Sequence, residues 1–66
     1  MMVIVNGREL SLPARATVAT LLVELGLEGP YALVERNGEP VNRDEYAVLE
    51  LDPDDSIVVA RPVAGG

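Results

Sequence analysis

The side chains of this sequence offer little for catalysis. There is no histidine and no cysteine among the 66 residues, so the usual general base and the best side-chain nucleophile are both missing. Ser11 and Ser56 have no plausible activating partner nearby in the sequence. The acidic pair Asp54-Asp55 lies in a turn-like context, where carboxylates are normally solvated. We expect that the chain is not an enzyme and that it takes part in any reaction as a substrate.

Metal binding is not expected either. The composition excludes the sets of Cys and His ligands that hold structural zinc. The acidic stretch that begins at Asp52 lacks the ligand spacing, the central glycine and the final glutamate of a calcium-binding loop. We therefore predict no metal site and no cofactor bound by the chain itself.

The group best suited to take part in a reaction is the α-carboxylate of Gly66. Gly66 follows Gly65, and a Gly-Gly segment has no side chains, so it is the thinnest peptide that can enter a narrow active site. A carboxylate becomes an acyl donor once one of its oxygens belongs to a good leaving group, such as a phosphate. A frayed terminus without a function is the alternative explanation for this segment taken alone.

Size and charge narrow the class of protein. A chain of 66 residues makes one small domain. The net charge of −6, with five scattered basic residues, argues against nucleic acid as a partner, because nucleic acid rewards dense Lys and Arg. No stretch approaches the roughly 20 apolar residues of a membrane span, and no basic, apolar leader resembles a signal peptide. We expect a cytoplasmic protein with neither nucleic acid nor membrane as a partner.

The beginning of the chain is predicted to form a β-hairpin. Met2–Val5 is a short apolar run rich in β-branched residues, and it is followed by Asn6-Gly7, the strongest short hairpin signal. Polar and apolar residues then alternate over residues 8–12, and Pro13 ends the second strand.

A short amphipathic helix is predicted next. Thr17 can cap its first turn, and Gly26 stands where a left-handed residue would end it. Between them, apolar residues recur with the spacing of one helix face, at Val18, Leu21, Leu22 and Leu25.

The second half of the chain is predicted to contain three strands. Residues 31–36 are the third strand, residues 48–51 the fourth and residues 57–60 the last. Between the third and the fourth, Asn42 and Glu45 have the spacing of a capping box and predict a single helical turn that ends near Tyr46. Residues 52–55 form a turn with Pro53 at its second position.

This order of elements predicts an α+β fold. One helix cannot cover both faces of a sheet, so one face stays open. The first and last strands are the most continuously apolar, as expected at the centre of a mixed sheet, and pairing them in parallel gives the ubiquitin-like β-grasp. We predict a mixed sheet of about five strands with one main helix on one face. Residues 1–61 would be the globular domain and residues 62–66 a flexible C-terminal tail.

The strand pattern assigns side chains to the two faces of this sheet. The predicted core between helix and sheet contains Val3, Val5, Val18, Leu21, Leu22, Leu25, Ile57 and Val59. On the opposite face, Ile4, Val58 and Ala60 are predicted to form an exposed apolar patch that leads to the tail, and such patches usually mark partner sites. Pro62 ends the last strand, and it can also stiffen the root of the tail; both interpretations stay open.

The whole chain resembles the ubiquitin-like sulfur carriers, and most of all the ThiS family of thiamin biosynthesis. Three segments carry the resemblance: Val3-Ile4-Val5-Asn6-Gly7, Thr17-Val18 and Val63-Ala64-Gly65-Gly66. The Gly-Gly end is the most specific of them. The first strand has an aliphatic run where an aromatic residue is often seen in the family, a departure that affects core packing and leaves the chemistry unchanged.

The resemblance implies a mechanism centred on Gly66. A ThiF-like adenylyltransferase would convert its carboxylate to an acyl-adenylate with ATP, and a sulfur donor such as a cysteine desulfurase would convert the adenylate to a thiocarboxylate. A ThiG-like thiazole synthase would then take the sulfur. Because the chain has no cysteine, the sulfur must be carried on the terminal carbon. The residues implied in partner binding are Gly65, Ala64, Val63, Pro62, Ile4, Val58 and Ala60.

Other functions are compatible with the same pattern. The small subunit of molybdopterin synthase would share the fold, the tail and the thiocarboxylate, although those proteins usually have additional sequence around the helix. A sulfur carrier for tRNA thiolation is a further alternative. A β-grasp interaction module or protein modifier would bind partners without carrying sulfur, and a pure binding module has no need of a free Gly-Gly end.

Overall fold

The structure, a computed structural model, describes residues 1–61. Within that range the chain forms five β-strands, one α-helix and one 3₁₀ turn. In chain order these are β1 (Met2–Val5), β2 (Arg8–Ser11), α1 (Val18–Leu25), β3 (Leu33–Arg36), β4 (Glu39–Pro40), the 3₁₀ turn (Arg43–Glu45) and β5 (Ser56–Ala60).

The strands form a mixed sheet in the order β2-β1-β5-β3-β4. The central strands β1 and β5 are parallel, with Ile4 beside Ser56 and Val5 beside Ile57, and the other pairs are antiparallel. The buried side chains of α1 pack with those of the sheet in a single apolar cluster. The predicted β-grasp arrangement, with the first and last strands parallel at the centre, is confirmed.

The turn between β1 and β2 has the conformation that its sequence predicts. Asn6 has φ of 50° and Gly7 has φ of 81°. A two-residue hairpin turn of type I′ requires positive φ at both positions, which glycine and asparagine adopt at low cost. Met2 pairs with Ser11 and Val5 with Arg8 across this hairpin.

The first turn of α1 is capped as predicted. Thr17 is the N-cap, and its Oγ1 accepts a hydrogen bond of 3.2 Å from the Thr20 backbone N–H. The Thr17 backbone N–H in turn donates to Thr20 Oγ1 at 3.3 Å. These reciprocal bonds form a capping box in which a threonine takes the place of the usual Glu or Gln.

The end of α1 is also as predicted. Gly26 has a left-handed backbone with φ of 68°, and its N–H donates to the Val23 carbonyl at 3.0 Å. The Leu27 N–H reaches back to the Leu22 carbonyl at 2.8 Å. This pair of bonds is the Schellman motif, which satisfies carbonyls that a helix end would otherwise leave unpaired. None of the helical segments in residues 1–61 has the length and apolar character needed to cross a membrane.

The prediction that residues 48–51 form the fourth strand is wrong. The fourth strand is Glu39–Pro40, which precedes the 3₁₀ turn and pairs with β3 through a turn at Asn37-Gly38. Residues 48–51 do not form a strand of the sheet. The N–H of Val48 donates to the Glu45 carbonyl at 3.0 Å, so the backbone curls after the 3₁₀ turn, and Glu50 makes an isolated bridge outside the sheet.

Three further details of the second half differ from the prediction. β3 begins at Leu33, two residues later than predicted, and β5 begins at Ser56, one residue earlier than predicted. Asn42 is the N-cap of the 3₁₀ turn, but its side chain makes no capping hydrogen bond. In a capping box the Glu45 N–H would donate to the Asn42 side chain; here it donates to the Asn42 backbone carbonyl at 3.0 Å, as a tight 3₁₀ turn requires.

The predicted core is confirmed with one exception. Leu25, in the last turn of α1, is half-buried and packs against the edge of the core. The other seven predicted residues are buried: Val3, Val5, Val18, Leu21, Leu22, Ile57 and Val59. Further buried residues that were not in the predicted core are Val34 of β3 and four residues of the connecting segments: Leu12, Ala16, Ala32 and Leu51.

We expect Leu22→Ala to lower the free energy of unfolding by about 2–5 kcal/mol, because it removes buried methyl groups and leaves a cavity between helix and sheet. Val23→Ala is the matched control, since Val23 is the next residue of the same helix and is exposed. Chemical denaturation of the two variants measures the difference. Equal midpoints for both variants would contradict the assignment of Leu22 to the core.

Candidate functional site

The predicted apolar patch lies on the face of the sheet opposite the helix. Along β1 and β5 buried and exposed residues alternate, because successive side chains of a strand point to opposite faces. Ile4 is 36% exposed, Val58 is 47% exposed, and Ala60 is also exposed. The structure therefore brings these three predicted residues to the open face.

The structure adds Leu33 to this surface. Leu33 is 52% exposed and lies opposite Ala60 in the antiparallel pair of β3 and β5. Directly opposite residues of an antiparallel pair share one face of the sheet. The sequence indicated that Leu33 faces away from the core, because its neighbour Val34 is apolar and suited to the core. That Leu33 lies beside Ala60 could be seen only from the pairing of β3 with β5. We call the exposed residues Met2, Ile4, Leu33, Val58 and Ala60 the open-face patch.

Two carboxylates flank the open-face patch. Glu9 lies opposite Ile4 on the β2 side, and Glu35 lies opposite Val58 on the β3 side. Both glutamates are exposed and share the face of their partners. A complementary partner surface would be apolar at its centre and basic at its edges.

The open-face patch adjoins the point where the chain leaves the sheet. Ala60 belongs to the patch and is the last residue of β5, and exposed Arg61 follows it. The remaining predicted site residues lie outside the described residues: Pro62, Val63, Ala64, Gly65 and Gly66.

The side chain of Asn6 holds β5 close to that same point. Its Oδ1 accepts a hydrogen bond of 2.9 Å from the Val59 N–H, and its Nδ2 donates to the Val59 carbonyl at 3.2 Å. We call these two bonds the Asn6 clamp. The sequence revealed Asn6 as a turn residue, but it did not reveal bonds that join residues 53 positions apart.

A buried carboxylate holds the opposite end of β5. Asp55 is buried, so its interpretation as a solvated turn residue is wrong, whereas Asp54 is exposed as expected. The Asp55 carboxylate accepts hydrogen bonds from Arg36 Nε at 2.8 Å, Asn37 Nδ2 at 3.0 Å and the Asp52 N–H at 2.8 Å. Within residues 1–61, every buried side-chain nitrogen and oxygen has a hydrogen-bond partner.

The environment of Asp55 lowers the pKa of its carboxyl group. Burial by itself raises this pKa, but the hydrogen bonds from Asp52, Asn37 and Arg36, together with the Arg36 charge, outweigh burial. The pKa in the folded state is therefore below the ordinary value of 3.8. The resulting stabilisation is fully present above pH 3.8 and is lost as the pH falls from there through the folded-state pKa.

We expect acidification below pH 3.8 to lower the free energy of unfolding, and we expect Asp55→Asn to weaken this pH dependence. Asp54→Asn is the matched control, because Asp54 is the adjacent residue and is exposed. Denaturant titrations of the three proteins over a series of pH values measure the effect. If the Asp55→Asn and Asp54→Asn proteins showed the same pH dependence, Asp55 would not be its source.

In residues 1–61 no group of three or more acidic side chains comes close enough together to hold a metal ion. Asp52 and Asp55 lie near each other, but both accept hydrogen bonds from Arg36, which occupies the position that a cation would need.

Comparison with known proteins identifies the family. The model of the ThiS family matches residues 2–66, which is nearly the whole chain. The chain belongs to the ThiS family. This match includes both the open-face patch and the Gly65-Gly66 segment.

A solved structure extends the ThiS likeness to the fold. The crystal structure of the thiamine biosynthesis protein ThiS from Geobacter metallireducens superimposes with a TM-score of 0.78 and 26% sequence identity, and the match covers 100% of both chains. The predicted ubiquitin-like β-grasp fold is thereby confirmed.

A curated relative places a ThiS-like segment within a longer protein. The chain is 35% identical over 66 residues to a thiazole synthase of Paramagnetospirillum magneticum (strain ATCC 700264 / AMB-1). All of the chain is covered, but it spans about a fifth (20%) of the length of that relative.

Proposed function

We propose that this chain is a sulfur carrier of thiamin biosynthesis that acts through the α-carboxylate of Gly66. The observation that carries the proposal is the ThiS family match over residues 2–66, which extends through Gly65-Gly66. The chain would serve as a protein co-substrate of its partner enzymes. It would bind no cofactor, since the activating enzyme would use the ATP.

The comparisons favour thiamin biosynthesis over molybdopterin biosynthesis and tRNA thiolation. The similar crystal structure is that of a thiamine biosynthesis protein, and the curated relative is named a thiazole synthase. A thiazole synthase that contains a segment like this chain also supports a ThiG-like thiazole synthase as the acceptor of the sulfur.

The proposed chemistry begins with activation of Gly66. In a polypeptide whose last residue is Gly66, a carboxylate oxygen attacks the α-phosphorus of ATP on a ThiF-like adenylyltransferase, and pyrophosphate leaves. When sulfide attacks the carbonyl carbon, AMP leaves and the sulfur remains as a thiocarboxylate. When a persulfide attacks instead, AMP leaves and an acyl disulfide forms, and a thiol must reduce its S–S bond to give the thiocarboxylate. This order is required because a free carboxylate has no leaving group that sulfur could displace.

The open-face patch is the proposed docking site of the activating enzyme. It contains the predicted residues Ile4, Val58 and Ala60, and it adjoins the end of β5. Residues 62–66 follow the patch closely in the sequence, so an enzyme that binds the patch is within reach of them. Five residues span at most about 16–18 Å when extended, which is enough to reach a nucleotide site from a docked domain.

The experiment is an intact-mass measurement on a polypeptide that ends at Gly66. It is incubated with a ThiF-like adenylyltransferase, ATP and sulfide as the sulfur nucleophile. We expect the mass to increase by the difference between sulfur and oxygen, with the change in the last peptide, and we expect no change without ATP. An unchanged mass with all components present would overturn the proposal. A cysteine desulfurase with cysteine and a thiol reductant then tests the biological donor.

A further inference from the structure

The Asn6 clamp lies where backbone hydrogen bonding between the central strands β1 and β5 ends. The N–H groups of Ile4 and Asn6 donate to the carbonyls of Asp55 and Ile57, both at 2.9 Å. Bonds of a parallel pair recur evenly along the strands, so the next carbonyl in this series is that of Val59. No β1 residue remains to bond it, because the chain reverses at Asn6-Gly7.

The Asn6 side chain supplies the missing pair of bonds. Its amide donates to the Val59 carbonyl at 3.2 Å and accepts from the Val59 N–H at 2.9 Å, so it presents one donor and one acceptor as a backbone peptide group would. The hydrogen bonding of β5 to its β1 side is therefore extended to Val59, one residue before Ala60 and two before Arg61. Without the clamp this bonding would end at Ile57.

We propose that Asn6 is a positioning residue: by holding β5 at Val59 it fixes where the chain leaves the sheet at Arg61 relative to the open-face patch, and so favours delivery of the residues that follow to the activating enzyme. This inference rests on the proposed function. The physical reason is preorganisation. If the end of β5 is held in one orientation, less conformational freedom is lost when the following residues enter a narrow channel. If it is held less firmly, a larger fraction of docked chains has an orientation that does not place the carboxylate near the nucleotide.

The second Asn-Gly turn provides an internal control. Asn37 also has φ of 50° and is also followed by glycine. Its Oδ1 accepts from the Ser56 N–H at 2.9 Å, and its Nδ2 donates to Asp55 at 3.0 Å. The two asparagines thus bind opposite ends of the same strand, and that of Asn37 is the end remote from Arg61.

The test compares Asn6→Gly with Asn37→Gly. Glycine keeps the positive φ of each turn and removes only the side-chain bonds. Amide hydrogen exchange reports on anchoring. We expect the Val59 amide to exchange roughly three- to tenfold faster in Asn6→Gly, as the loss of one hydrogen bond of ordinary strength implies, and Ser56 to respond in Asn37→Gly. Unchanged exchange at Val59 would overturn the anchoring role.

Pyrophosphate exchange with a ThiF-like adenylyltransferase reports on positioning, at a temperature where every variant is folded. We expect Asn6→Gly to lower kcat by roughly three- to tenfold with KM unchanged, because docking is intact while fewer docked chains are productive. Asn37→Gly should match the wild type in both constants. Asn6→Asp keeps the acceptor and loses the donor, so it should fall between wild type and Asn6→Gly.

The outcomes separate this inference from the proposed function. If the wild type is activated and the two glycine variants have equal kcat, the positioning role is overturned while the proposed function stands. A higher KM for Asn6→Gly would place Asn6 in the docking surface and would also overturn the positioning role. If the wild type is not activated at all, the proposed function fails and the positioning role fails with it, and hydrogen exchange alone decides whether Asn6 anchors Val59.

Discussion

Deletion of Gly66, or the addition of a single residue after it, should reduce adenylation by at least about 100-fold. One residue moves the terminal carboxylate by about 3.3–3.6 Å along an extended chain. That displacement is as large as the whole separation of reacting atoms in a near-attack geometry, about 3–3.5 Å. The carboxylate would then miss the α-phosphorus of ATP even if the domain docks normally. ATP–pyrophosphate exchange with a ThiF-like adenylyltransferase measures the loss.

One control substitution and one further test of the tail accompany this prediction. Ala64→Gly keeps the chain length and the position of the carboxylate, so it should retain most of the exchange activity. Gly65→Leu also keeps the length but adds a bulky side chain next to the reacting carbon, so it should slow the reaction by obstructing the channel. A polypeptide that lacks Gly66 and still accepts sulfur would end the carrier hypothesis.

Val58→Asp should weaken binding to the same adenylyltransferase by at least about thirtyfold, which corresponds to about 2 kcal/mol. Val58 lies in the middle of the open-face patch, beside Glu35, and its side chain is 47% exposed in the free chain. A carboxylate at this position would be buried without a partner in an apolar interface, and it would add to the negative charge already present. Titration calorimetry measures the dissociation constants.

Val48→Asp is the matched control for this substitution. Val48 is 71% exposed and lies after the 3₁₀ turn, outside the strands of the sheet. The two variants introduce the same charge and keep the same core, so they should have similar unfolding midpoints. If they bound the enzyme equally well, the open-face patch would not be the docking site.

Most of the elements that were predicted correctly are set by local residues, whereas the central parallel pairing of β1 and β5 was predicted from the apolar character of both strands. Asn6-Gly7 fixes the first hairpin through its backbone conformation, and Thr17 and Gly26 mark the two ends of the helix through bonds within one turn. The fourth strand was misplaced because it has two residues, one of them proline, and is defined by its pairing with β3. The apolar spacing of residues 48–51 fits a strand, but their backbone bonds are made elsewhere: the Leu51 N–H donates to the Ala16 carbonyl.

The residues of the candidate site also differ in how far the sequence alone could predict them. Alternation along the strands was enough to assign Ile4, Val58 and Ala60 to the open face. Glu9 could have been placed opposite Ile4 from the two-residue turn at Asn6-Gly7, which fixes the register of the hairpin. Leu33 and Glu35 joined the patch only through the register of β3 with β5, which no local signal specifies. The Asn6 clamp and the burial of Asp55 depend on contacts between segments far apart in the chain. The local sequence around Asp55 suggested a solvated turn instead.

The parallel pairing of β1 with β5 has a consequence for how the protein is made. Asn6 and Val59 are 53 positions apart, so the middle of the sheet cannot close until the chain has left the ribosome as far as Val59. A nascent chain that ends before β5 lacks the strand between β1 and β3 and cannot complete its core. Such a fragment would also lack Val58 and Ala60. Folding therefore acts as a checkpoint: the open-face patch, which is the proposed docking site, is complete only on molecules whose synthesis has passed β5.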